Sequence, residues 1–258
     1  GEAVFGADLA VPGMLHARVV RPPHYHARLR GIDESVADRL RESGIQIVRD
    51  GSYLAVAGAD EYAVIRAAER PFAGCDWDMA DGIAQADLFD SITGNERISL
   101  PVENDGVPQE KPVPPLEAAP EGAAHTLSAR YDKPYHAHGS IGPSAGAAVW
   151  RDDGLQVWSH SQGIYFLRSA IAEAFGLAEE NVQIEHVPGA GCYGHNGADD
   201  AGFDAALIAR ALPGTPILLK WSREEEHSWA PYATAMSLKL QASVDHDGKV
   251  MAWSHESY

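Results

Sequence analysis

Two stretches hold the residues whose types and spacing could do chemistry. The first is Gly189-Ala190-Gly191-Cys192-Tyr193-Gly194, formally G-x-G-x-x-G, followed by His195-Asn196-Gly197-Ala198-Asp199-Asp200. Glycines at this spacing leave the backbone bare, so a pyrophosphate or another polar group can reach the amides ahead of a helix. A nicotinamide nucleotide fits poorly. Positions 195–200 stay polar and loop-like where the nucleotide helix should begin, and Asp199 and Asp200 would repel a pyrophosphate. Only the 37 residues after Trp221 remain, enough for a β-hairpin but not for the rest of a doubly wound sheet. A structural glycine turn and a backbone cradle for some other bound group both stay open.

The second stretch is Ser159-His160-Ser161-Gln162-Gly163, at the end of an expected strand and the entrance of an expected helix. Two glycine-bearing strand-to-helix turns in succession would bring backbone N–H groups and the Gln162 carboxamide to one sheet edge. Such an edge suits a large polar cofactor. Other groupings are weaker. His24 and His26, and His136 and His138, form i,i+2 pairs, but zinc needs three or four converging ligands. Glu224-Glu225-Glu226 reads as first-turn acids behind a capping Ser222. Ser161 lacks the G-x-S-x-G elbow of a serine hydrolase. Cys75 and Cys192 lie far apart with no CxxC partner, which excludes a disulfide framework, and Cys75 reads as a buried small hydrophobe.

Alternating strands and helices must position these groups. Hydrophobic periodicity predicts strands at 14–20, 45–48, 53–57 and 72–77, with helices at 34–43 (capped by Asp33, stopped by Gly44) and 61–70 (capped by Asp60, with Tyr62, Ile65 and Ala68 inward). Six prolines in 101–122 make that stretch a connector, with a short helix expected before it at 83–92. A strand at 124–131 follows, then a hairpin of 145–150 and 155–160. Next come a helix at 164–175 with Ile164, Leu167, Ile171 and Ala174 inward, a strand at 182–186, and the glycine loop. A helix with Phe203, Ala206, Leu207 and Ala211 inward leads to a strand at 217–221, a capping box at Ser222-x-x-Glu225, and a hairpin from 236 to 258. The fold class is therefore α/β (α+β), divided as 1–100, a linker at 101–122, and 123–258.

The chain has 258 residues, 45% hydrophobic, with 20 basic against 37 acidic side chains and a net charge of −17. That apolar share supports a core. The acidic balance argues against nucleic acid as a partner, and no apolar run nears the roughly 18 residues of a membrane span. Nothing in the first residues reads as a signal peptide, and the ends are expected to be those of a trimmed fragment.

Three strings carry a resemblance: His160-Ser161-Gln162-Gly163, the 189–197 loop, and Trp221-Ser222-Arg223-Glu224-Glu225-Glu226. In this order they resemble the molybdopterin-binding large subunit of the xanthine oxidase and aldehyde oxidase family. The likeness is greatest to its bacterial isoquinoline 1-oxidoreductase and nicotinate dehydrogenase branch, where Gly191-Cys192-Tyr193-Gly194-His195-Asn196-Gly197-Ala198-Asp199-Asp200 is a typical string. Gly1-Glu2-Ala3-Val4-Phe5-Gly6, Pro12-Gly13-Met14-Leu15 and Arg21-Pro22-Pro23-His24-Tyr25-His26-Ala27-Arg28 are similar to the start of the family's α/β hammerhead domain.

The resemblance implies a molybdenum-molybdopterin cofactor, in its cytosine dinucleotide form, and oxidation of a small aldehyde or N-heterocycle with water as oxygen source. It also implies an iron–sulfur partner subunit with 2Fe–2S clusters, and a cytochrome as a further partner. Gln162 matches the family glutamine near the metal's oxo group. Gly163, Gly189, Gly191, Cys192, Tyr193 and Gly194 fall on the cofactor-binding turns, with no direct metal ligand among them. Cys192, Tyr193 and His195 depart from the Gly-Gly-Gly-Phe-Gly-Gly pattern of many members, and Gly139-Ser140-Ile141-Gly142-Pro143 stands where others carry Glu-Pro. The family's base, a glutamate in a far C-terminal Gly-Val-Gly-Glu segment, has no counterpart in 1–258. The chain then reads as a cofactor-binding part of a bacterial oxidoreductase, cytoplasmic or periplasmic. The alternatives are a non-catalytic binding or assembly module and an NAD(P) dehydrogenase.

Overall fold

Strands covered on both faces need apolar residues at nearly every position, and three segments supply them. They are β4 (Tyr53–Gly58), β7 (Ala145–Arg151) and β10 (Ile217–Lys220). The computed structural model, which describes residues 4–69, 74–79, 88–94, 118–152 and 154–258, places all three inside one seven-stranded sheet. The other members are β1 (Leu15–Val19), β3 (Gln46–Asp50), β8 (Gly154–Ser159) and β9 (Val182–His186), in the order β3-β4-β1-β10-β7-β8-β9. β1 and β10 run parallel, as do β8 and β9, and the remaining pairs are antiparallel. A mixed α/β architecture results, as expected. It is not the doubly wound parallel sheet of a nicotinamide dehydrogenase.

Pairing Leu15 with Ile217 and Ala17 with Leu219 joins two distant parts of the sequence in one sheet. The described residues of Gly1–Gly82 therefore fold with Ala137–Ala233 as one unit, and those of Ile83–His136 with Thr234–Tyr258 as a second. That cut differs from the division at 1–100, 101–122 and 123–258, because strand periodicity carries no information on a pairing partner so far along the chain. Residues 101–117, 70–73 and 83–87 lie outside the described residues, and with them most of the connector and parts of the expected 72–77 strand and 83–92 helix. A short strand pair, β2 (Arg28–Ile32) with β5 (Cys75–Asp78), belongs to the larger unit; periodicity does not predict β2. Cys75 is half-buried there.

Helix boundaries follow local chemistry. The Asp33 side chain accepts from Ser35 N and Val36 N ahead of α1 (Glu34–Glu42), and Asp60 accepts from Ala63 N in α2 (Glu61–Glu69). α4 (Ile164–Phe175) ends at Gly176 with φ 65°. α6 (Arg223–Trp229) opens on a reciprocal capping box between Ser222 and Glu225. The inward faces need correction. α2 buries Val64 and Ala67 while Tyr62 is exposed, and α4 buries Leu167, Ile171 and Ala172 but leaves Ala174 out. α5 (Ala198–Ala211) buries Ala201, Ala205, Ala206, Ile208 and Ala209, with Phe203 and Leu207 only half-buried and Ala211 exposed. Small residues win here because the helix lies close on the sheet: a Cβ on Gly146 of β7 would overlap the Ala201–Gly202 backbone.

In the second unit, β11 (Met236–Val244) pairs antiparallel with β6 (His125–Lys133) and β12 (Val250–Ser257), and α3 (Leu88–Gly94) packs on β11. Leu238, Leu240 and Ala242 alternate onto one face, level with Tyr131, Ala129 and Leu127. No helix among the described residues is long and apolar enough to cross a membrane.

Candidate functional site

β8, α4 and β9 form a parallel crossover, so the turn leaving β8 and the loop leaving β9 emerge at the same carboxyl edge of the sheet. Open α/β sheets bind ligands at such an edge. The 160–163 turn is built from its own hydroxyls. Buried Ser159 Oγ accepts from Ser161 N and donates to Ala198 O at 3.0 Å, while Ser161 Oγ accepts from Gly163 N at 2.9 Å. This ties the turn to the first residue of α5.

The 189–197 loop is pinned from within by Asn196, only 4% exposed. Its Nδ2 donates to Gly191 O at 2.9 Å and its Oδ1 accepts from Ala198 N at 3.1 Å. Gln162 is exposed and clasps the loop from outside. Its Nε2 donates to Gly194 O at 2.8 Å and lies 3.3 Å from His195 Nδ1. Cys192 Sγ lies 2.9 Å from Gly194 O and 3.6 Å from Gln162 Oε1. The expected site residues Gln162, Gly163, Gly189, Gly191, Cys192, Tyr193 and Gly194 thus share one edge, with the Tyr193 ring 63% exposed.

The glycines have internal reasons as well. Gly191 and Gly194 adopt φ of 123° and 134°, and Tyr193 between them has φ 55°. A Cβ on Gly194 would overlap the His138 ring, and one on Gly189 would overlap His160. None of the backbone N–H groups over 189–197 donates to another described residue. The buried Ser140 Oγ also has no partner among them. Backbone donors without acceptors among the described residues, a carboxamide, and Asp199 facing His195 at 3.2 Å fit a cofactor rich in acceptor atoms. Contrary to expectation, α5 begins at Ala198, directly behind the loop, and Asp199 and Asp200 sit in its first turn.

The remaining candidates serve the frame. Glu226 is buried and accepts from Ser144 N at 2.8 Å and Ser144 Oγ at 3.2 Å, and Arg223 donates to Ser140 O and Ile141 O. Together they hold the 139–144 stretch. His138 Nδ1 lies 3.0 Å from Pro231 O, and no described group of three His, Cys, Asp or Glu side chains could hold a metal.

Sequence reasoning misses a second polar centre. Arg21 is paired with Asp204 at 2.5 Å, faces Glu225 at 3.6 Å, and stacks on Trp221 and Trp229 at 4.9 and 5.5 Å. Trp221 Nε1 also donates to the Asp204 carboxylate, and the Tyr53 hydroxyl to the Asp204 backbone carbonyl. Burial raises the Asp204 pKa despite Arg21, and burial pushes Glu225 up to about 7. The cue available in the sequence is an acidic residue at position 204, in a helix otherwise rich in alanine.

Residues 106–258 match the family described as "Molybdopterin cofactor-binding domain". The chain is 32% identical to a nicotinate dehydrogenase component of Pseudomonas putida across its whole length, which is 22% of that protein. It is 26% identical to the beta component of isoquinoline 1-oxidoreductase from Brevundimonas diminuta, over 99% of this chain and 33% of the relative. Among solved structures, quinoline 2-oxidoreductase from Pseudomonas putida 86 shares the fold with a TM-score of 0.74 at 17% identity, over all of this chain and 37% of that one. Aldehyde oxidoreductase from Desulfovibrio desulfuricans gives 0.73 at 17% identity, over 99% and 32%. The chain thus spans between about a fifth and two fifths of these relatives. Because the family match covers well over half of its length, this chain belongs to the molybdopterin cofactor-binding domain family.

Proposed function

We propose that this chain supplies the Gln162 and 189–197 face of a molybdopterin site in a molybdenum hydroxylase that oxidises an aldehyde or N-heteroaromatic compound with water as oxygen source. The observation that carries the reading is the joined edge: Gln162 bonded to Gly194, beside backbone N–H groups without protein acceptors among the described residues. The bound cofactor would supply two-electron redox chemistry. The chain's own part is to hold it. The amides of 191–195 would donate to its acceptor atoms, and Gln162 would offer an N–H to an oxo group. Asn196 keeps the loop in shape whether or not the cofactor is present. Along the sequence, residues 1–100 would correspond to the hammerhead-like part and 123–258 to the first part of the cofactor domain, although β1, β3 and β4 complete the sheet of the latter. The cofactor is the cytosine dinucleotide form, and electrons leave through an iron–sulfur subunit with 2Fe–2S clusters, with a cytochrome as the further acceptor.

The test is metal and pterin analysis of the protein in its natural full-length setting, with turnover assayed on aldehydes and N-heterocycles. Molybdenum with a pterin is the expected result. The 258-residue chain alone should hold no molybdenum and oxidise none of these substrates with an artificial electron acceptor. Full-length protein without molybdenum would defeat the reading.

A further inference from the structure

His160 stands between the two turns of the site. Its Nε2 accepts the Ala145 N–H at 3.1 Å, at the first residue of β7. An Nε2 that accepts is unprotonated, so the neutral ring carries its hydrogen on Nδ1. On that side the ring lies against the bare Cα of Gly189, where any Cβ would overlap Nδ1, Cγ and Cβ of the histidine. Asn196 Nδ2, which holds Gly191 O, is 3.4 Å from Nδ1. The ring also borders a cavity of about 130 Å³ together with Phe5, Pro143, Lys220 and Trp221.

With its hydrogen on Nδ1 the ring and Asn196 Nδ2 are both donors, so that approach is packing and not a hydrogen bond; what holds the ring is the bond to the strand start and the close fit at the entrance of the glycine loop. Two residues further along the chain stands Gln162, whose own bond ends on Gly194. We infer that His160 is a positioning residue of this site: a neutral Nδ1–H imidazole that sets the spacing between the Gln162 turn and the 189–197 loop by anchoring to Ala145 and backing Gly189. The inference rests on the molybdopterin reading. It explains why position 189 is glycine without any cofactor: the ring occupies the space a side chain would need.

The test uses the full-length protein with two readouts, bound molybdenum and exchange of the Ala145 amide hydrogen. His160→Leu removes the acceptor at similar bulk. It should speed Ala145 exchange by about tenfold, the scale of one lost buried hydrogen bond, and lower bound molybdenum several-fold. His160→Gln, whose Oε1 can take the same N–H, should restore both. A leucine variant with wild-type exchange and wild-type molybdenum overturns the inference, as does a glutamine variant no better than leucine. Nitrogen NMR of the wild-type ring decides the matter even if His160→Leu fails to fold: an Nε2–H tautomer overturns the assignment. Wild-type protein without molybdenum would defeat the functional reading instead, leaving the Ala145 exchange and the tautomer to judge His160.

Discussion

The larger unit carries two polar centres that share α5 but are built from opposite chemistry. Around the glycine loop the groups are mostly neutral dipoles, the Asn196 and Gln162 carboxamides, the His160 ring and backbone amides, with Asp199 against His195 the charged exception. Around Arg21 they are charges, one guanidinium against Asp204 and Glu225, with Asp200 near enough to raise Asp204 further. Neutral dipoles can satisfy each other and still leave N–H groups without a protein acceptor among the described residues. Buried charges cannot, because every unmatched one carries a desolvation cost. Carboxylates outnumber the cation here, so the cluster favours holding a proton near neutrality. The first centre is the one proposed to bind the cofactor, and the second fastens strand β1 and the segment after it to α5 and α6.

The largest effect should come from breaking the charged centre. Arg21→Leu leaves Asp204 and Glu225 buried without their cation, and should cost about 3–5 kcal/mol in denaturant unfolding at pH 8. A loss under about 1 kcal/mol would mean that the pair is hydrated and fastens nothing.

Acidity should separate the two centres next. Glu225 rises from 4.5 unfolded to about 7 folded, chiefly through burial. A carboxyl raised in the folded state binds its proton more tightly there. Its contribution to stability is therefore greatest below pH 4.5 and falls as pH climbs to about 7, by a few kcal/mol on the order of 1.4 per unit. Burial raises Asp200 and Asp204 in the same sense. Glu225→Gln keeps an acceptor for Ser222 N and should flatten the decline between pH 4.5 and 7. An unchanged slope would assign it elsewhere.

Within the glycine loop, Gly194→Ala meets both a φ of 134° and the His138 ring. It should destabilise apoprotein and holoprotein alike by roughly 1–3 kcal/mol. Gly191, at φ 123°, should behave similarly. An alanine there that loses molybdenum while the apoprotein unfolds as wild type would show that the cofactor, and not the backbone, demands glycine.

The smallest stability effect belongs to Gln162→Ala, within about 0.5 kcal/mol for an exposed side chain. In the full-length enzyme it should still slow turnover by roughly 10- to 1000-fold, the usual scale for one preorganised donor. An unchanged rate would reduce Gln162 to a loop clasp.

Much of this is legible along the chain. Asp33, Asp60, Gly176 and the Ser222–Glu225 box announce helix ends because capping is local chemistry between residues two to four apart. The strand-to-helix turns at 160–163 and 189–197 are visible for the same reason, and so is their shared edge once the two strands are taken as neighbours. Less legible is which helix face goes inward. In α2, alternative stripes such as Tyr62-Ile65-Ala68 and Val64-Ala67 both satisfy helical spacing, and only the surface beneath chooses.

By itself, then, the sequence announced most of the elements, though not β2, and the helix caps, since these depend on neighbours in the chain. The tertiary structure decided that β1 joins β10, that Arg21 meets Asp204 183 positions away, and that His160 fills the space beside Gly189. Those contacts arise from close packing between segments whose separation along the chain leaves no periodic trace.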